Sequence, residues 1–153
     1  MLKISNKHSV NLSLAISVVF FAVCIAGLFV MPFLSELLLS MRNGRVLGEN
    51  VTVFVTVIAY LILAVFMLAD ILLFNLLLRV KRSLVFTAKS VSLIRGVSWC
   101  CFAAGILFCC LGLFFNLSFV VGFMGAFLGL CLRVTKNVIA EATEIKSEND
   151  LTV

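Results

Sequence analysis

Asp70 is the single acidic residue that lies inside a long apolar run of this sequence, in the segment VFMLADILLF. A carboxylate in such a run is a candidate for a proton relay, an ion site or a buried ion pair. The other apolar runs contain no acidic residue, which disfavours a relay of several carboxylates. Arg79 is nine residues away, too far for direct contact along one helix, so Arg95 and Arg133 are the better candidate partners. We therefore treat Asp70 as a candidate polar site and favour a structural role over transport.

The depth of Asp70 depends on where its apolar run stops crossing the membrane. A crossing that ends near Leu73 puts Asp70 at the interface, whereas one that ends at Leu78 puts it about 12 Å deep. If Asp70 lies at the interface and has no relay partners, Asp70→Asn should leave folding largely intact. A buried charged pair would instead lose about 3–5 kcal/mol when one partner is removed.

Six cysteines invite a copper or redox hypothesis, because thiolates are soft metal ligands. They are Cys24, Cys100, Cys101, Cys109, Cys110 and Cys131. Four of them form two adjacent pairs rather than CxxC motifs, and adjacent residues point about 100° apart on a helix. All six lie within apolar runs, where cysteine packs as a small hydrophobe and no disulfide framework is expected. With His8 isolated near the N-terminus, we predict no metal, no cofactor and no catalytic site, hence no enzyme.

The composition indicates a membrane protein. Apolar residues make up 63% of the chain and charged residues 12%, against about 25% charged in soluble domains. The formal net charge is +5, but ten of the twelve Lys and Arg residues lie in three segments beside apolar runs. Basic residues at such positions set membrane topology and contact anionic lipid. We therefore predict the lipid bilayer as a partner and no direct binding of nucleic acid.

Four apolar runs predict an all-α membrane protein of one domain, residues 1–153, with four transmembrane helices. The predicted spans are residues 10–33, 51–78, 96–115 and 117–136. The first run exceeds the about 7–15 apolar residues of a signal peptide, so we expect it to remain as a helix of the protein.

Local signals predict where these helices end. Pro32, the single proline, is expected to end the first helix. Residues 34–41 then form either a short helix in the membrane interface or the frayed end of the first helix. Asn43-Gly44 indicates a turn, and Asn116-Leu117-Ser118 predicts a tight hairpin turn before the fourth helix.

The stretch between the second and third runs, residues 79–95, is the basic hinge. It holds five basic residues and no acidic one, namely Arg79, Lys81, Arg82, Lys89 and Arg95. The N-terminus, the basic hinge and residues 133–153 together hold ten Lys and Arg residues, against two in residues 42–50. Because loops rich in Lys and Arg stay in the cytoplasm, we predict an up-down-up-down bundle with both termini cytoplasmic.

The C-terminal tail, residues 137–153, changes from apolar to amphipathic sequence. Val138, Ala142 and Ile145 recur at helical spacing and predict an apolar stripe. Its acidic residues are Glu141, Glu144, Glu148 and Asp150. Since the tail and the basic hinge leave the membrane on the same side, their opposite charges predict that they dock. We hypothesise that together they form a surface for a soluble cytoplasmic partner.

Small residues recur on one face of the third and fourth runs. Their glycines are Gly105 and Gly112 in the third run and Gly122, Gly125 and Gly129 in the fourth. Such stripes let helices approach closely in lipid, where the ordinary hydrophobic drive is absent. We predict that they pack the third helix against the fourth, with homo-oligomerisation through the GxxxG of Gly125 and Gly129 as the alternative.

Two stretches resemble a family of bacterial membrane proteins. Residues 86–97, FTAKSVSLIRGV, are similar to the pattern F-[ST]-x-E-N-V-x-x-[LI]-R-x-[IV], with Lys89 and Ser90 in place of Glu-Asn. Residues 141–153, EATEIKSENDLTV, resemble the family's tail, which ends in a variant of E-N-D-L-T-[IV]. The family is the one catalogued as domain of unknown function 2975. The resemblance implies four helices in a bacterial cell membrane and a gene that often lies beside one for a small helix-turn-helix regulator.

The leading functional hypothesis is a non-enzymatic membrane protein whose basic hinge and tail bind or regulate a soluble partner, such as a helix-turn-helix regulator. The alternative is a small transporter or an immunity-type protein that acts within the bilayer. Asp70 separates the two, because transport should depend on it and partner binding should depend on the basic hinge and the tail.

The orientation can be tested by thiol labelling on a cysteine-free background. Ser83→Cys and Asp150→Cys should react with a membrane-impermeant reagent only from the cytoplasmic side, because the Lys/Arg bias retains these segments there. Gly44→Cys should react from the outside of intact cells. Outside labelling of position 83 or 150, or no outside labelling of position 44, would contradict this topology.

Overall fold

In a bilayer, the backbone N–H and C=O groups of a long apolar segment have no water with which to form hydrogen bonds. An α-helix pairs these groups within the segment. A computed structural model describes the backbone of residues 3–40 and 49–151, with side chains at 9–37, 51–146 and 148. These residues form four helices and no strand, which confirms the predicted all-α class. The helices are α1 (Lys3–Ser40), α2 (Glu49–Lys81), α3 (Ala88–Gly112) and α4 (Asn116–Leu151). The predicted Asn43-Gly44 turn lies outside the described residues.

Each helix contains a segment that is long and apolar enough to cross a membrane. The segments are Ser9–Leu37, Val51–Lys81, Ala88–Gly112 and Asn116–Lys146. This is the arrangement of a multi-pass membrane protein. All four exceed the about 20 residues that span the hydrocarbon core, so the helices tilt or protrude. With 36 residues, α4 is about 54 Å long and exceeds the ~30 Å core by about 24 Å.

Helix α1 continues through Pro32 to Ser40, so the prediction that Pro32 ends the first helix is wrong. Proline has no N–H group for the carbonyl four residues earlier, which here belongs to Leu28. The Tyr60 hydroxyl of α2 donates to that carbonyl oxygen over 3.2 Å. A neighbouring helix thus satisfies the acceptor that proline leaves free, and this is how membrane helices tolerate proline.

A pair of hydroxyl groups ties α1 to α2 one turn further along. Ser35 Oγ donates to the Pro32 carbonyl oxygen over 2.8 Å. Thr56 Oγ1 lies 2.9 Å from Ser35 Oγ, within hydrogen-bond distance. Ser35 is buried although it lies past the proline, so this part of α1 still packs on α2 and is not a separate interfacial helix.

The helices pack as an open row in chain order. Among the described residues, α1 packs on α2, α2 on α3 and α3 on α4, and no other pair of helices is in contact. Ser17 lies opposite Asp70 and Ser35 opposite Thr56, so α1 and α2 are antiparallel. The same reversal of order relates α2 to α3 and α3 to α4. The helices therefore alternate in direction as predicted, while the first and fourth do not meet.

Aromatic rings join α2 to its two neighbours. The ring centres of Phe66 and Phe108 are 6.1 Å apart, and those of Phe54 and Phe114 are 5.8 Å apart, both between α2 and α3. Phe66 also meets Phe20 of α1 edge-on at 6.4 Å. These separations fall in the range at which aromatic pairs attract beyond their area burial.

Helices α3 and α4 approach until backbone meets backbone. A Cβ atom added to Gly105 would lie 2.9 Å from the Gly122 carbonyl oxygen, and one added to Gly122 would lie 2.8 Å from the Gly105 oxygen. A Cβ added to Gly125 would lie an ordinary 3.6 Å from Gly105, and one added to Gly129 would lie 3.3 Å from the Phe102 ring. The structure thus places the GxxxG of α4 in a contact within the chain.

The turn between α3 and α4 comprises residues 113–115, three residues earlier than predicted. Asn116 begins α4, and the Ser118 N–H group donates to the Phe115 carbonyl oxygen over 2.8 Å. The N–H groups of Phe114 and Phe115 both donate to the Leu111 carbonyl oxygen over 2.9 Å, so the backbone closes this apolar turn. Gly112 permits it, since a Cβ there would overlap the Phe119 ring at 2.6 Å.

Gly105→Ala is expected to destabilise the α3–α4 pair, because its methyl group would meet a backbone oxygen at 2.9 Å. Overpacking of this kind costs about 1–3 kcal/mol. Gly125→Ala is the matched control, since its nearest neighbour would lie at an ordinary 3.6 Å. Unfolding by SDS titration in mixed micelles measures both free energies. Equal losses in the two variants would show that backbone contact does not govern this interface.

Candidate functional site

Asp70 lies on the face of α2 that packs against α1, and its side chain is 6% exposed. The hydroxyl of Ser17, itself 4% exposed, donates to Asp70 Oδ1 over 2.7 Å. Interhelical hydrogen bonds contribute to helix association in lipid, where hydrocarbon offers no alternative partner. The Ser17–Asp70 hydrogen bond therefore helps to set how α1 and α2 align.

Asp70 also lies well inside the apolar segment of α2. It is four residues, or about 6 Å, from residue 66, the midpoint of Val51–Lys81. The interfacial depth of Asp70 in a bilayer, and the tolerance of Asp70→Asn that was expected from it, stay predictions. The hydrogen-bond partner is Ser17 rather than either predicted candidate, Arg95 or Arg133.

A cavity of about 210 Å³ opens beside this pair and is named here the Asp70 cavity. It is lined by Ser17, Val18, Phe21, Asp70, Ile71 and Phe74. The side chains of Val18 and Ile71 are 58% and 46% exposed, so the cavity opens sideways, toward lipid. Two polar side chains and an apolar, partly aromatic wall thus meet at one opening.

The basic hinge is helical at both ends, and only residues 82–87 lie between α2 and α3. Helix α2 ends in a Schellman motif, in which the Ser83 and Leu84 N–H groups donate to the Val80 and Arg79 carbonyl oxygens over 3.0 and 2.9 Å. Ser83 adopts the left-handed φ of 61° that this motif requires and that glycine usually supplies.

Arg79 links the end of α2 to the start of α3. Its Nε donates to Ser90 Oγ over 3.2 Å and its Nη2 to Thr87 Oγ1 over 3.0 Å. Thr87 is the N-cap of α3, and Ser90, 1% exposed, donates to the Leu84 carbonyl oxygen over 2.8 Å. A guanidinium group offers several donors in one plane, so a single side chain organises the connection. Arg79 was predicted to bind a partner, and in the structure its guanidinium group donates hydrogen bonds within the chain.

The other four basic residues of the hinge are exposed. Lys81 and Arg82 lie at the end of α2, Lys89 in the first turn of α3 and Arg95 nearly two turns later. Arg95 lines a groove of about 610 Å³ between α3 and α4, named here the Arg95 groove. Glu144 of α4 lines the same groove, so one acidic residue of the tail lies beside the basic hinge.

The tail approaches α3 through a different face from the predicted one. Ala140 and Thr143 line the Arg95 groove, whereas Val138 and Ile145 are 61% and 55% exposed and Ala142 is half-buried. The predicted stripe is therefore not the face that packs on α3. Ala140 and Thr143 form that face instead, since their small side chains let α4 stay close to α3 beyond the glycine contact. Glu141 and Glu148 are exposed on the same stretch, and the Asp150 side chain lies outside the described residues.

Arg133 and Trp99 form a cation–π contact between α4 and α3. The guanidinium carbon lies 5.4 Å from the centre of the Trp99 ring. Tryptophan is enriched where a helix crosses the membrane interface, and the pair lies one turn from Arg95. Nearby, the buried Ser98 hydroxyl donates to the Gly129 carbonyl oxygen over 2.8 Å and ties α3 to α4.

The cysteine side chains take no part in the polar contacts described above. Cys24 and Cys100 are buried, Cys101, Cys109 and Cys110 half-buried, and Cys131 exposed, and all are free thiols. Within the described part of the chain, no three His, Cys, Asp or Glu side chains cluster as metal ligands would.

Ser17, Tyr60 and Ser90 carry contacts that the sequence patterns did not single out. Each is an isolated hydroxyl in or beside an apolar run, which is an ordinary feature by itself. A usable signal for Ser17 is the antiparallel hairpin of the first two helices, which brings the start of the first run opposite the end of the second. A signal for Tyr60 is the free carbonyl that any proline leaves four residues earlier.

Asp70→Asn should lower the free energy of unfolding by about 1 kcal/mol or less, because its amide oxygen can still accept from Ser17. Asp70→Leu removes the acceptor. A double-mutant cycle of Asp70→Leu with Ser17→Ala should show a coupling of about 0.6–1.7 kcal/mol, as for other membrane hydrogen bonds. SDS titration provides the four free energies.

Ser13→Ala is the matched control for that cycle, since Ser13 donates to the Ser9 carbonyl oxygen of its own helix over 3.1 Å. Its effect should add to that of Asp70→Leu without coupling. Additive effects of Ser17→Ala and Asp70→Leu would mean that their hydrogen bond does not stabilise the α1–α2 pair.

Comparison with known proteins places the whole architecture in one family. No curated protein and no solved structure matches the chain. The profile of a family described as protein of unknown function (DUF2975) matches residues 9–153. The match covers all four apolar segments, the basic hinge and the tail, and it confirms the predicted resemblance to this family. The chain therefore belongs to the DUF2975 family of proteins of unknown function.

Proposed function

We propose that this chain is a non-catalytic regulatory protein of the bacterial cell membrane, and that its basic hinge and tail dock a soluble cytoplasmic protein. The observation that supports the proposal is the Arg95 groove, which Arg95 of the hinge and Glu144 of the tail line together. Helix α4 exceeds the hydrocarbon core by about 24 Å. Its residues Ala140, Thr143 and Glu144 lie beside the first turns of α3, which a helix that only anchored the chain would not need.

The construction of the hinge favours a binding role for its exposed cations. The Schellman motif, the Thr87 N-cap and the Arg79 hydrogen bonds hold the backbone from which Lys81 and Lys89 project. A surface that is ordered before binding loses less conformational freedom when a partner docks. Exposed charges of one sign also speed the encounter with a partner of opposite sign. The hinge therefore suits a partner with an acidic surface.

The family resemblance supports the class of partner. Its implied gene context is a small helix-turn-helix regulator, a protein that presents one basic surface to DNA. Other faces of such a regulator are available to bind a basic membrane surface. Held at the hinge and tail, it would stay at the membrane and away from its operator.

A second candidate function acts within the bilayer, as a small transporter or an immunity-type protein. The observation that favours it is Asp70, a buried carboxylate beside a cavity that opens toward lipid. Intramembrane carboxylates of this kind mark ion and substrate pathways in transporters. The two candidates use different parts of the chain, so variants can separate them.

Deletion of residues 147–153 should leave the four-helix core intact and abolish capture of a soluble partner. Lys81→Glu combined with Lys89→Glu should do the same, because the reversed charges repel an acidic surface. The charge-conserving pair Lys81→Arg and Lys89→Arg is the matched control and should retain the partner. N-terminally tagged protein, cross-linked in native membranes and analysed by quantitative mass spectrometry, provides the readout.

We expect the full chain and the control to capture a soluble helix-turn-helix protein. We expect both test variants to lose it. Circular dichroism and resistance to SDS unfolding show that the variants keep their helices. If the truncated and charge-reversed proteins retain every partner of the full chain, the docking proposal fails and the bilayer-acting candidate gains support.

A further inference from the structure

The Asp70 carboxylate has one protein partner and one oxygen to spare. Ser17 donates to Oδ1, and no described residue donates to Oδ2. The side chain is 94% buried, as its 6% exposure shows, yet it lines the Asp70 cavity. A carboxylate removed from water requires a positive charge, a proton or further donors to balance it. The geometry therefore leaves a place for a donor that enters from the cavity.

The remaining wall of the cavity identifies the kind of donor. Among the described residues that line it, Asp70 and Ser17 are the polar ones, and the other four are Val18, Phe21, Ile71 and Phe74. Calcium takes six to eight oxygen ligands and magnesium an octahedral set, which two side chains do not provide. An organic cation needs a single carboxylate and an apolar surround, and aromatic rings attract the positive charge further.

The volume and the opening limit the size and the route of such a ligand. At about 210 Å³, the cavity exceeds the ~150 Å³ cavity that accommodates benzene in a protein core. It accepts a ring or a short alkyl chain that carries one ammonium group. The exposed rim residues Val18 and Ile71 face lipid, so an amphiphilic amine dissolved in the bilayer reaches Asp70 without crossing the basic hinge.

We propose that the Asp70 cavity is a binding site for a small amphiphilic amine in its protonated form. The ammonium group donates to Asp70 Oδ2, while Ser17 holds Oδ1, and the apolar body lies between Phe21 and Phe74. The site is independent of cytoplasmic docking, because it lies between α1 and α2 and shares no residue with the basic hinge or the tail.

Binding of phenethylammonium to the full chain tests the proposal. Isothermal titration calorimetry in phosphatidylcholine nanodiscs, with empty nanodiscs subtracted, should show saturable binding at one site. Asp70→Asn should raise Kd roughly 10- to 100-fold, the loss expected for a charged hydrogen bond. Glu36→Gln, which removes an exposed carboxylate of α1, is the matched control and should leave Kd unchanged.

Two further measurements separate charge recognition from partition into an apolar space. 2-Phenylethanol has nearly the same shape without the charge, and it should bind at least tenfold more weakly. Phe74→Trp fills the cavity without changing any charge and should abolish binding of the amine. If Asp70→Asn does not fold, Phe74→Trp still tests whether the amine binds in the Asp70 cavity. Heat no greater than that of empty nanodiscs, equal Kd values for the amine and the alcohol, or unchanged binding in Phe74→Trp would each overturn the proposal. None of these outcomes depends on capture of a soluble partner, so the amine-binding proposal and the docking proposal can fail separately.

Discussion

Hydrocarbon gives apolar helices no preference for one another over lipid, so each neighbouring pair in this protein needs a specific device to associate. The first pair uses hydrogen bonds, with Ser17 on Asp70 and Tyr60 on the carbonyl freed by Pro32. The central pair uses aromatic rings. The last pair uses glycine, which brings the Gly105 and Gly122 backbones into contact. Three different solutions thus hold one row of four helices together.

The charged end of the molecule depends on the same packing. Because glycines hold α4 close to α3, the tail continues along the first turns of α3 and brings Glu144 to Arg95. The Arg79 hydrogen bonds hold α3 at a defined angle to α2, which orients the exposed lysines. The surface proposed for a soluble partner is therefore a product of contacts made within or beside the bilayer.

Four apolar runs were sufficient to predict four helices, since a bilayer leaves the backbone few alternatives. Three of the details that differ depend on a second helix. Pro32 does not end α1 because Tyr60, distant in sequence, supplies a donor. Asp70 is paired by Ser17 because α1 and α2 are antiparallel. The tail turns Ala140 and Thr143 toward α3, not the more apolar Val138 and Ile145, because small side chains permit closeness. Local periodicity contains none of this information.

The open row has a consequence for how the protein is made. Every tertiary contact among the described residues joins helices that are consecutive in the chain, so no helix waits for a distant segment before it can pack. Chains with local contacts assemble quickly, and synthesis delivers the N-terminal elements first. The α1–α2 hairpin can form while α3 is still emerging from the ribosome, and α4 completes the row last. The Arg95 groove, which requires residues 140–144 of α4, therefore exists only on a chain in which all four helices have been synthesised.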